Sequence, residues 1–376
     1  MSAVTPLPDE YNQLTQDQLN ERIAAAKEKL GESLVVLGHH YQSDAVIRFA
    51  DFRGDSLKLA RLAAEQHKAR YIVFCGVHFM AESADILSGD GQAVVLPNLA
   101  AGCAMAAMAD DENVSVAMDE LSAGGRRVIP VTYVNSTAAV KAITGRAGGT
   151  CCTSSNVRNV FEWALAAESD GGAEAEVIFA VPDQHLGRNT ALAMGIPEEQ
   201  IVLYDPAMPG GGLSEQQLRT ARVVLWKGHC YVHQLFTPEH VRAVRTLDPQ
   251  MQVIVHPECP REVVDLADAA GSTSQIIQAV SEAPAGAKFA IGTESNLVQR
   301  LAAEHPDKTI RVLSQTPAVC IQMQRITLPH LAWALEELTG DRLVNRITVP
   351  ESDAADARKA LEQMISIKAV QGITRK

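Results

Sequence analysis

The sequence predicts an α/β fold of three similar units, each a parallel sheet covered by helices. Short apolar runs rich in Val and Ile alternate with amphipathic stretches of about 10 to 15 residues, the pattern of βαβ units. The same series of features also repeats three times along the chain. Each repeat has an apolar strand with a polar end, a hydroxyl residue at the start of a helix, a further strand and helix, and a lone cysteine. Such repetition indicates one supersecondary unit used three times.

The first and third units keep the same intervals between these features. In each, the hydroxyl residue follows the strand end by 17 residues and the cysteine follows it by 64: His39, Ser56 and Cys103 in the first unit, and His256, Thr273 and Cys320 in the third. The middle unit is longer, with Tyr133, Ser154 and Cys230 at intervals of 21 and 97 residues. We expect one insertion near 189–222, where Pro and Gly residues indicate a loop.

The predicted strands follow the repeats in order. They lie at 34–38, 71–76 and 93–97, then at 128–134, 177–181 and 223–226, and finally at 253–256, 288–292 and 310–313. Structural helices are predicted at 15–30, 328–338 and 354–367. The domains are therefore expected at 25–115 (with C-terminal helices 326–376 packed on the core), 116–235 and 236–325. Each polar strand end lies at the carboxyl end of a strand, where open α/β sheets bind ligands.

The composition restricts the class of partner. There are 45 acidic and 33 basic residues, a net charge of −12, which argues against broad binding of nucleic acid or anionic membranes. We see no membrane-spanning run and no secretory signal, so the sequence predicts a cytoplasmic protein. GxGxxG and P-loop patterns are absent from the sequence, so nucleotide binding has no support.

The seven cysteines contain no CxxC pair, which disfavours a zinc ribbon or a ferredoxin-type cluster with local ligands. Equivalent repeat positions make Cys103, Cys230 and Cys320 the candidate ligands of one 4Fe-4S cluster. Three thiolates leave one iron open as a Lewis acid; the alternative is three unrelated buried thiols. The other four fit less well: Cys75 reads as a small buried hydrophobe, adjacent Cys151 and Cys152 cannot easily share a centre, and Cys259 could line the site.

Polar groups at the repeat positions indicate acid–base chemistry on a small polyanion. Ser56, Ser154 and Thr273 lie where helix N-termini bind anions, although each could serve only as an N-cap. The strand ends carry titratable or polar residues: His39, Tyr41, Tyr133, Asn135, His256 and Glu258. We interpret His256 and Glu258 as a general acid/base pair, with Tyr41 a weaker proton carrier. In PDQHLGR, Arg188 could bind phosphate, but a solvated loop is favoured.

These motifs resemble one known family. HHYQ, GDSL, YVNS, TSSN, PDQHLGR, KGHCYVH, HPE, GSTSQ and the late lone cysteine occur in the order of the quinolinate synthase A family of NAD biosynthesis, between about residues 30 and 345. The resemblance implies condensation of iminoaspartate with dihydroxyacetone phosphate to quinolinate, with loss of phosphate and two waters. It also implies three αβα domains around a pseudo-threefold axis, with the active site at the centre.

The resemblance further implies specific residues. Cys103, Cys230 and Cys320 would hold the 4Fe-4S cluster, and Tyr41 matches a tyrosine of the family's chemistry. The implied iminoaspartate-binding positions are His39, Ser56, Tyr133, Val134, Asn135, Ser154, His256, Pro257, Glu258 and Thr273. L-Aspartate oxidase is the implied source of the imine and a possible transient partner. An iron–sulfur hydro-lyase acting on another hydroxy acid and a non-catalytic cluster carrier are the alternatives.

Overall fold

A computed structural model of the chain describes residues 5–375. Residues 1–4, the start of the N-terminal segment in which the sequence predicts no secretory signal, lie outside the described residues. The strands in the described part are β1 (Leu34–His39), β2 (Phe52–Gly54), β3 (Tyr71–Cys75), β4 (Ala93–Val95), β5 (Val128–Tyr133), β6 (Thr150–Cys152), β7 (Val177–Val181), β8 (Ile201–Tyr204), β9 (Val223–Trp226), β10 (Gln252–Val255), β11 (Ala269–Ala270), β12 (Lys288–Gly292), β13 (Thr309–Val312), β14 (Arg346–Ile347) and β15 (Thr374–Arg375).

Helices separate most of these strands. They are α1 (Asp9–Asn12), α2 (Gln16–Leu30), α3 (Asp44–Ile47), α4 (Ser56–Glu65), α5 (His78–Leu87), α6 (Asp111–Ser122), α7 (Ala138–Arg146), α8 (Val157–Leu165), α9 (Gln184–Ala193), α10 (Glu215–Thr220), α11 (Tyr231–Gln234), α12 (Pro238–Leu247), α13 (Arg261–Leu266), α14 (Thr273–Glu282), α15 (Ser295–Glu304), α16 (Ile321–Gln324), α17 (Leu328–Leu338) and α18 (Glu351–Ser366). Short 3-10 turns lie at Gly31–Ser33, Ala106–Met108, Glu168–Asp170, Glu198–Gln200 and Pro209–Gly212. No helix in residues 5–375 is long and apolar enough to cross a membrane.

The three sheets share one core order. The first sheet runs β4-β3-β1-β2, the second β9-β7-β5-β6 and the third β13-β12-β10-β11, and all of these pairs are parallel. The fifth strand differs: β14 and β15 add antiparallel to β4 and β11, whereas β8 adds parallel to β9. The predicted α/β class with parallel sheets is therefore confirmed.

The predicted strands and helices are found within three residues at each end. The sequence reasoning missed the short strands β2, β6, β11, β14 and β15, because two or three residues carry no readable periodicity. It also missed β8 inside the predicted insertion 189–222, which holds this strand, α10 and turns. The prediction that PDQHLGR forms a solvated loop is wrong. The segment begins α9, because the Asp183 side chain accepts the N–H of Leu186 at 2.6 Å and caps the helix.

The chain forms two compact units. One contains residues 5–103 and Cys320–Glu351 with the first sheet, and the other contains Ala104–Val319 and residues 352–375 with the second and third sheets. Central strands such as β3 and β7 are buried along their whole length, as expected for parallel strands covered on both faces. The buried apolar strands hold the polar strand ends in place at the carboxyl edge of each sheet.

Candidate active site

The third repeat ends its first strand on a buried acid–base pair. After β10, the N–H of His256 donates to the Gly292 carbonyl at 3.0 Å, and a turn closes with Cys259 N–H on the His256 carbonyl at 3.0 Å. His256 and Glu258 are only 2% and 3% exposed. The turn brings His256 Nδ1 to 3.1 Å from Glu258 Oε2. The structure thus brings together the two residues predicted to form an acid/base pair.

Ser154 of the second repeat completes this arrangement. Its Oγ lies 3.1 Å from His256 Nε2, on the opposite side of the ring from Glu258. Hydroxyl, imidazole and carboxylate therefore form one chain, in which the imidazole can exchange a proton with the hydroxyl or with a ligand bound there. The sequence predicted each residue separately but not this contact.

His233 is a site residue that the sequence reasoning missed. It lies on α11 and is 1% exposed. Its ring stacks on that of His256, with centroids 4.3 Å apart and planes at 12°. His233 Nδ1 lies 3.1 Å from Glu258 Oε2, the same oxygen that His256 approaches, and His233 Nε2 lies 3.2 Å from Thr293 Oγ1. The final His of KGHCYVH was the only signal in the sequence.

The two imidazoles keep the Glu258 carboxyl ionised. Burial by itself raises the pKa of Glu258. The charges of His233 and His256, and the hydrogen bonds that the two rings make to the carboxylate, outweigh burial and hold the pKa of Glu258 well below its usual range. Asp183 shows the opposite shift, because burial and the negative charge of Glu258 raise its pKa well above the usual range. Two carboxyls with pKa values moved apart are typical of acid–base sites.

One oxygen of each carboxyl is buried with no hydrogen-bond partner among the described residues: Asp183 Oδ2 and Glu258 Oε1. Buried polar atoms normally have a partner, so an unsatisfied one in a cleft marks a position where a ligand group can bind. Asn135, at the end of the second repeat's first strand, has a buried Oδ1 in the same condition. These atoms support a binding role for the strand ends.

The three repeat cysteines share an exposed setting that the others lack. Cys103, Cys230 and Cys320 are partly exposed, and Cys230 and Cys320 each occupy the N-cap position of a four-residue helix, α11 and α16. The Cys230 Sγ, one ring nitrogen of His233 and one carboxylate oxygen of Glu258 lie within 4.8 Å of one another, close enough to bind one metal ion. Cys103 and Cys320 belong to one compact unit and Cys230 to the other.

The remaining cysteines suit metal ligation poorly. Burial raises the pKa of the Cys75 and Cys151 thiols to about 12, and it raises the pKa of Cys152 and Cys259 well above the usual value. A metal ligand must be a thiolate, so a buried thiol of high pKa is a weak candidate. Cys75 lies fully buried in β3, in agreement with its interpretation as a small hydrophobe. The donor set therefore fits the predicted cluster best at the three repeat positions.

N-capping does not account for the predicted hydroxyls. Ser56 and Thr273 are the first residues of α4 and α14, whose N-caps are Asp55 and Ser272. Ser154 lies in the turn before α8, which has Asn156 at its N-cap position. Each hydroxyl therefore lies beside a helix N-terminus without serving as its cap.

His39 and Tyr41 form a separate pair in the first unit. His39 is 4% exposed, its ring lies 4.7 Å from that of Tyr41, and the two planes are nearly perpendicular. The N–H of Tyr41 lies 3.2 Å from His39 Nδ1, and the N–H of Glu258 lies 3.3 Å from His256 Nδ1. The first and third repeats thus place a backbone N–H beside the same ring nitrogen at equivalent positions.

The middle repeat places a different set at its strand end. Tyr133 ends β5, and the N–H of Val134 donates to the Cys152 carbonyl at 2.8 Å. The ammonium group of the fully buried Lys141 donates a hydrogen bond to the Ser136 carbonyl at 2.8 Å, which fixes the turn that follows Asn135. Pro257, the remaining predicted position, is half-buried between His256 and Glu258.

The chain is similar to known proteins along almost its whole length. A family model described as quinolinate synthetase A protein matches residues 21–366. A quinolinate synthase of Nocardioides sp. is 53% identical over 364 residues, covering 96% of this chain and 92% of its own. Quinolinate synthases of Acidobacterium capsulatum and Corynebacterium glutamicum are 53% and 51% identical, covering 96% and 98% of this chain and 96% and 92% of their own. The matched region contains all the site residues described above.

Proposed function

This chain belongs to the quinolinate synthetase A family, and we propose that it condenses iminoaspartate with dihydroxyacetone phosphate to form quinolinate, releasing phosphate and two waters in NAD biosynthesis. The observation that carries the proposal is the chain formed by Ser154 with the buried His256 and Glu258, with the ring of His233 stacked on that of His256. A condensation followed by two dehydrations needs repeated proton transfer at one place, and this chain can provide it.

The hydroxyl residues would hold the substrate carboxylates. In the proposal, Ser56, Ser154 and Thr273 bind them beside the N-termini of α4, α8 and α14, where N–H groups and the helix dipole favour negative charge. The other iminoaspartate-binding positions proposed are His39, Tyr133, Val134, Asn135, His256, Pro257 and Glu258. Their support is the family resemblance and the repeat-equivalent placement of the strand ends.

The acid–base residues would move protons at defined atoms. His256 exchanges a proton at Nε2, beside Ser154 Oγ, while the ionised Glu258 holds Nδ1 and stabilises the imidazolium form. Tyr41 is proposed as a further proton carrier, positioned by its hydrogen bond to His39. Because His256 and Glu258 are nearly fully buried, bulk water is kept from the reactive imine.

Cys103, Cys230 and Cys320 would hold a 4Fe-4S cluster. Their support is their equivalent position in the three repeats, their partial exposure and the high thiol pKa of the other four cysteines. When bound, the cluster supplies an open iron that acts as a Lewis acid on oxygen. We propose accordingly that domains 25–115, 116–235 and 236–325 surround a pseudo-threefold axis with the active site at its centre, and that imine arrives from L-aspartate oxidase by transient contact.

The test is quinolinate formation by anaerobically purified, cluster-loaded protein supplied with iminoaspartate and dihydroxyacetone phosphate. Glu258→Gln should lose about 100-fold or more of turnover, because the carboxylate that holds the imidazolium is gone, and it should keep the visible absorption of the cluster. Glu239→Gln, at an exposed carboxylate on α12, is the control. Full turnover in Glu258→Gln would refute the assigned role.

A second pair of variants tests the ligand set. Cys320→Ser should lose cluster absorption and turnover together, whereas Cys75→Ala should keep both, because the Cys75 thiol is fully buried in β3. A cluster of full intensity in Cys320→Ser would remove Cys320 from the ligand set. Dehydration of a simple hydroxy acid without quinolinate formation would favour a hydro-lyase, and a stable cluster without either activity would favour a carrier.

A further inference from the structure

A closed ring of four hydrogen bonds joins the second repeat, the third repeat and the C-terminal tail. The N–H of Val370 donates to the Ser155 carbonyl at 2.9 Å, and the Ser155 hydroxyl donates to Ser272 Oγ at 3.0 Å. The N–H of Ser272 donates to Gln275 Oε1 at 2.7 Å, and Gln275 Nε2 returns to the Val370 carbonyl at 2.9 Å. We call these four residues the tail circuit.

The serines of the tail circuit are buried, so losing one of their hydrogen bonds should cost free energy. Ser272 is fully buried and Ser155 is 5% exposed. A buried donor or acceptor that loses its partner keeps its full desolvation cost, and a closed network is stronger than its separate bonds. Breaking one member should therefore disturb the whole ring.

Further contacts tie the same tail to both repeats. On the α8 side, Asn159 Nδ2 donates to the Lys368 carbonyl at 2.9 Å. On the other side, β15 pairs antiparallel with β11, with Thr374 opposite Ala270. The tail thus runs from the N-terminal part of α8 to the edge of the third sheet, directly across the circuit.

Each serine of the circuit is next in sequence to a residue whose hydroxyl is proposed to bind the substrate. Ser155 follows Ser154, and Ser272 precedes Thr273. The two serines are 117 residues apart in sequence, and their hydroxyl oxygens lie 3.0 Å apart. We therefore expect the distance between the Ser154 and Thr273 hydroxyls to depend on the Ser155–Ser272 contact and on the tail residue Val370, which completes the ring of hydrogen bonds.

We propose that the tail circuit sets the spacing of the Ser154 and Thr273 hydroxyls, with Gln275 and Val370 as positioning residues for the dicarboxylate substrate. The inference rests on the proposed function, since it concerns recognition of the same substrate. Two hydroxyls fit two carboxylate groups only at one separation, so a small displacement weakens binding without changing the groups that transfer protons.

Helix capping alone does not explain Gln275. In the capping box of α14, its Oε1 accepts the N–H of Ser272, while its Nε2 is used for the tail. The capping box of α10 has the same residue types, Ser214 and Gln217, in an exposed position. Gln217 therefore provides a matched control that loses a cap but no tail contact.

The experiment measures KM and kcat in cluster-loaded full-length protein. Gln275→Leu should raise KM for iminoaspartate about five-fold, with kcat and KM for dihydroxyacetone phosphate nearly unchanged, because one hydrogen bond is worth about that ratio. Gln217→Leu should keep the wild-type KM. Val370→Pro, which removes the N–H that Ser155 accepts, should raise the same KM, whereas Val370→Ala, which keeps the N–H, should not.

Combining the changes gives the sharpest result. If the ring acts as one unit, Gln275→Leu/Val370→Pro should raise KM no more than the larger single effect, since neighbours in one network are not additive. A wild-type KM in both single variants overturns the inference, as does an equal rise in Gln217→Leu. If Gln275→Leu does not fold, the Val370 pair decides alone. Wild-type protein that forms no quinolinate would overturn the proposed function, and this inference with it.

Discussion

At the scale of single residues, the site depends on one ionised carboxylate between two imidazoles. Glu258 is 3% exposed, and a buried charge is tolerated only when it is paired. His256 and His233 both approach its Oε2 at 3.1 Å, and their stacked rings hold one another in place. The geometry of His256 therefore depends on His233 as well as on Glu258.

We predict that His233→Phe lowers kcat about 10- to 100-fold, the usual loss when a supporting partner of a catalytic group is removed. The phenyl ring keeps the stacking on His256 but cannot reach Glu258 or Thr293 through nitrogen. Steady-state rates and cluster absorption measured on the same preparation check the prediction. Wild-type kcat in this variant would mean that stacking alone positions His256.

At the scale of elements, the N-caps determine where helices begin, and one close contact determines how two helices pack. The N-caps of α4, α9 and α14 are Asp55, Asp183 and Ser272, so Ser56 and Thr273 are not the capping residues of α4 and α14. The α7 helix approaches α18 at Gly145, where an added Cβ would lie 1.9 Å from the Asp356 carbonyl oxygen. Only glycine permits this approach.

We predict that Gly145→Ala destabilises the protein by about 1 to 3 kcal/mol, because α7 and α18 must separate to accept the methyl group. Gly89→Ala is the control, since its added Cβ would meet only the end of the Gln92 side chain at 3.5 Å. Thermal melting of both variants checks the prediction. Equal melting temperatures would show that the helices can shift without cost.

At the scale of the whole molecule, partly buried carboxylates link stability to pH. Side-chain hydrogen bonds from Lys288, Arg342 and Lys359 lower the pKa of Asp248, Glu337 and Asp356. A carboxyl with a lowered folded pKa releases its proton more readily in the folded chain. Its stabilising effect is therefore present above the unfolded pKa of about 4 and is lost as the pH falls through the folded value.

We predict that the melting temperature falls as the pH is lowered from about 5 to about 3, and that Lys288→Met flattens this dependence, because Asp248 then loses its partner. Melting curves across this range, for the wild type and the variant, check the prediction. A melting temperature that rises on acidification would contradict the sign derived from these carboxyls.

Cluster binding should also stabilise the folded molecule as a whole. A group that binds only the native state raises its stability by mass action, and the three proposed ligands come from distant parts of the chain. We therefore predict a higher melting temperature for cluster-loaded protein than for protein stripped by a chelator. In Cys320→Ser the two preparations should melt together; a persistent difference would point to other ligands.

The sequence alone was sufficient to predict the α/β class, nine of the strands, the flanking helices and the family, because periodicity, spacing and motifs are properties of the chain itself. It missed β2 and β11, which are too short to show a pattern, and it mistook the start of α9 for a loop because the capping role of Asp183 was not recognised. Repeat spacing also selected Ser154, His256 and Glu258 as candidates.

Only the tertiary structure decided how those candidates act together. The contact of Ser154 with His256 spans 102 residues, and that of Ser155 with Ser272 spans 117. The stacking of His233 on His256 is equally invisible to local pattern. Spacing along a chain says which residues reach the same edge of a sheet, but distances of about 3 Å between side chains arise only when separate elements pack against one another.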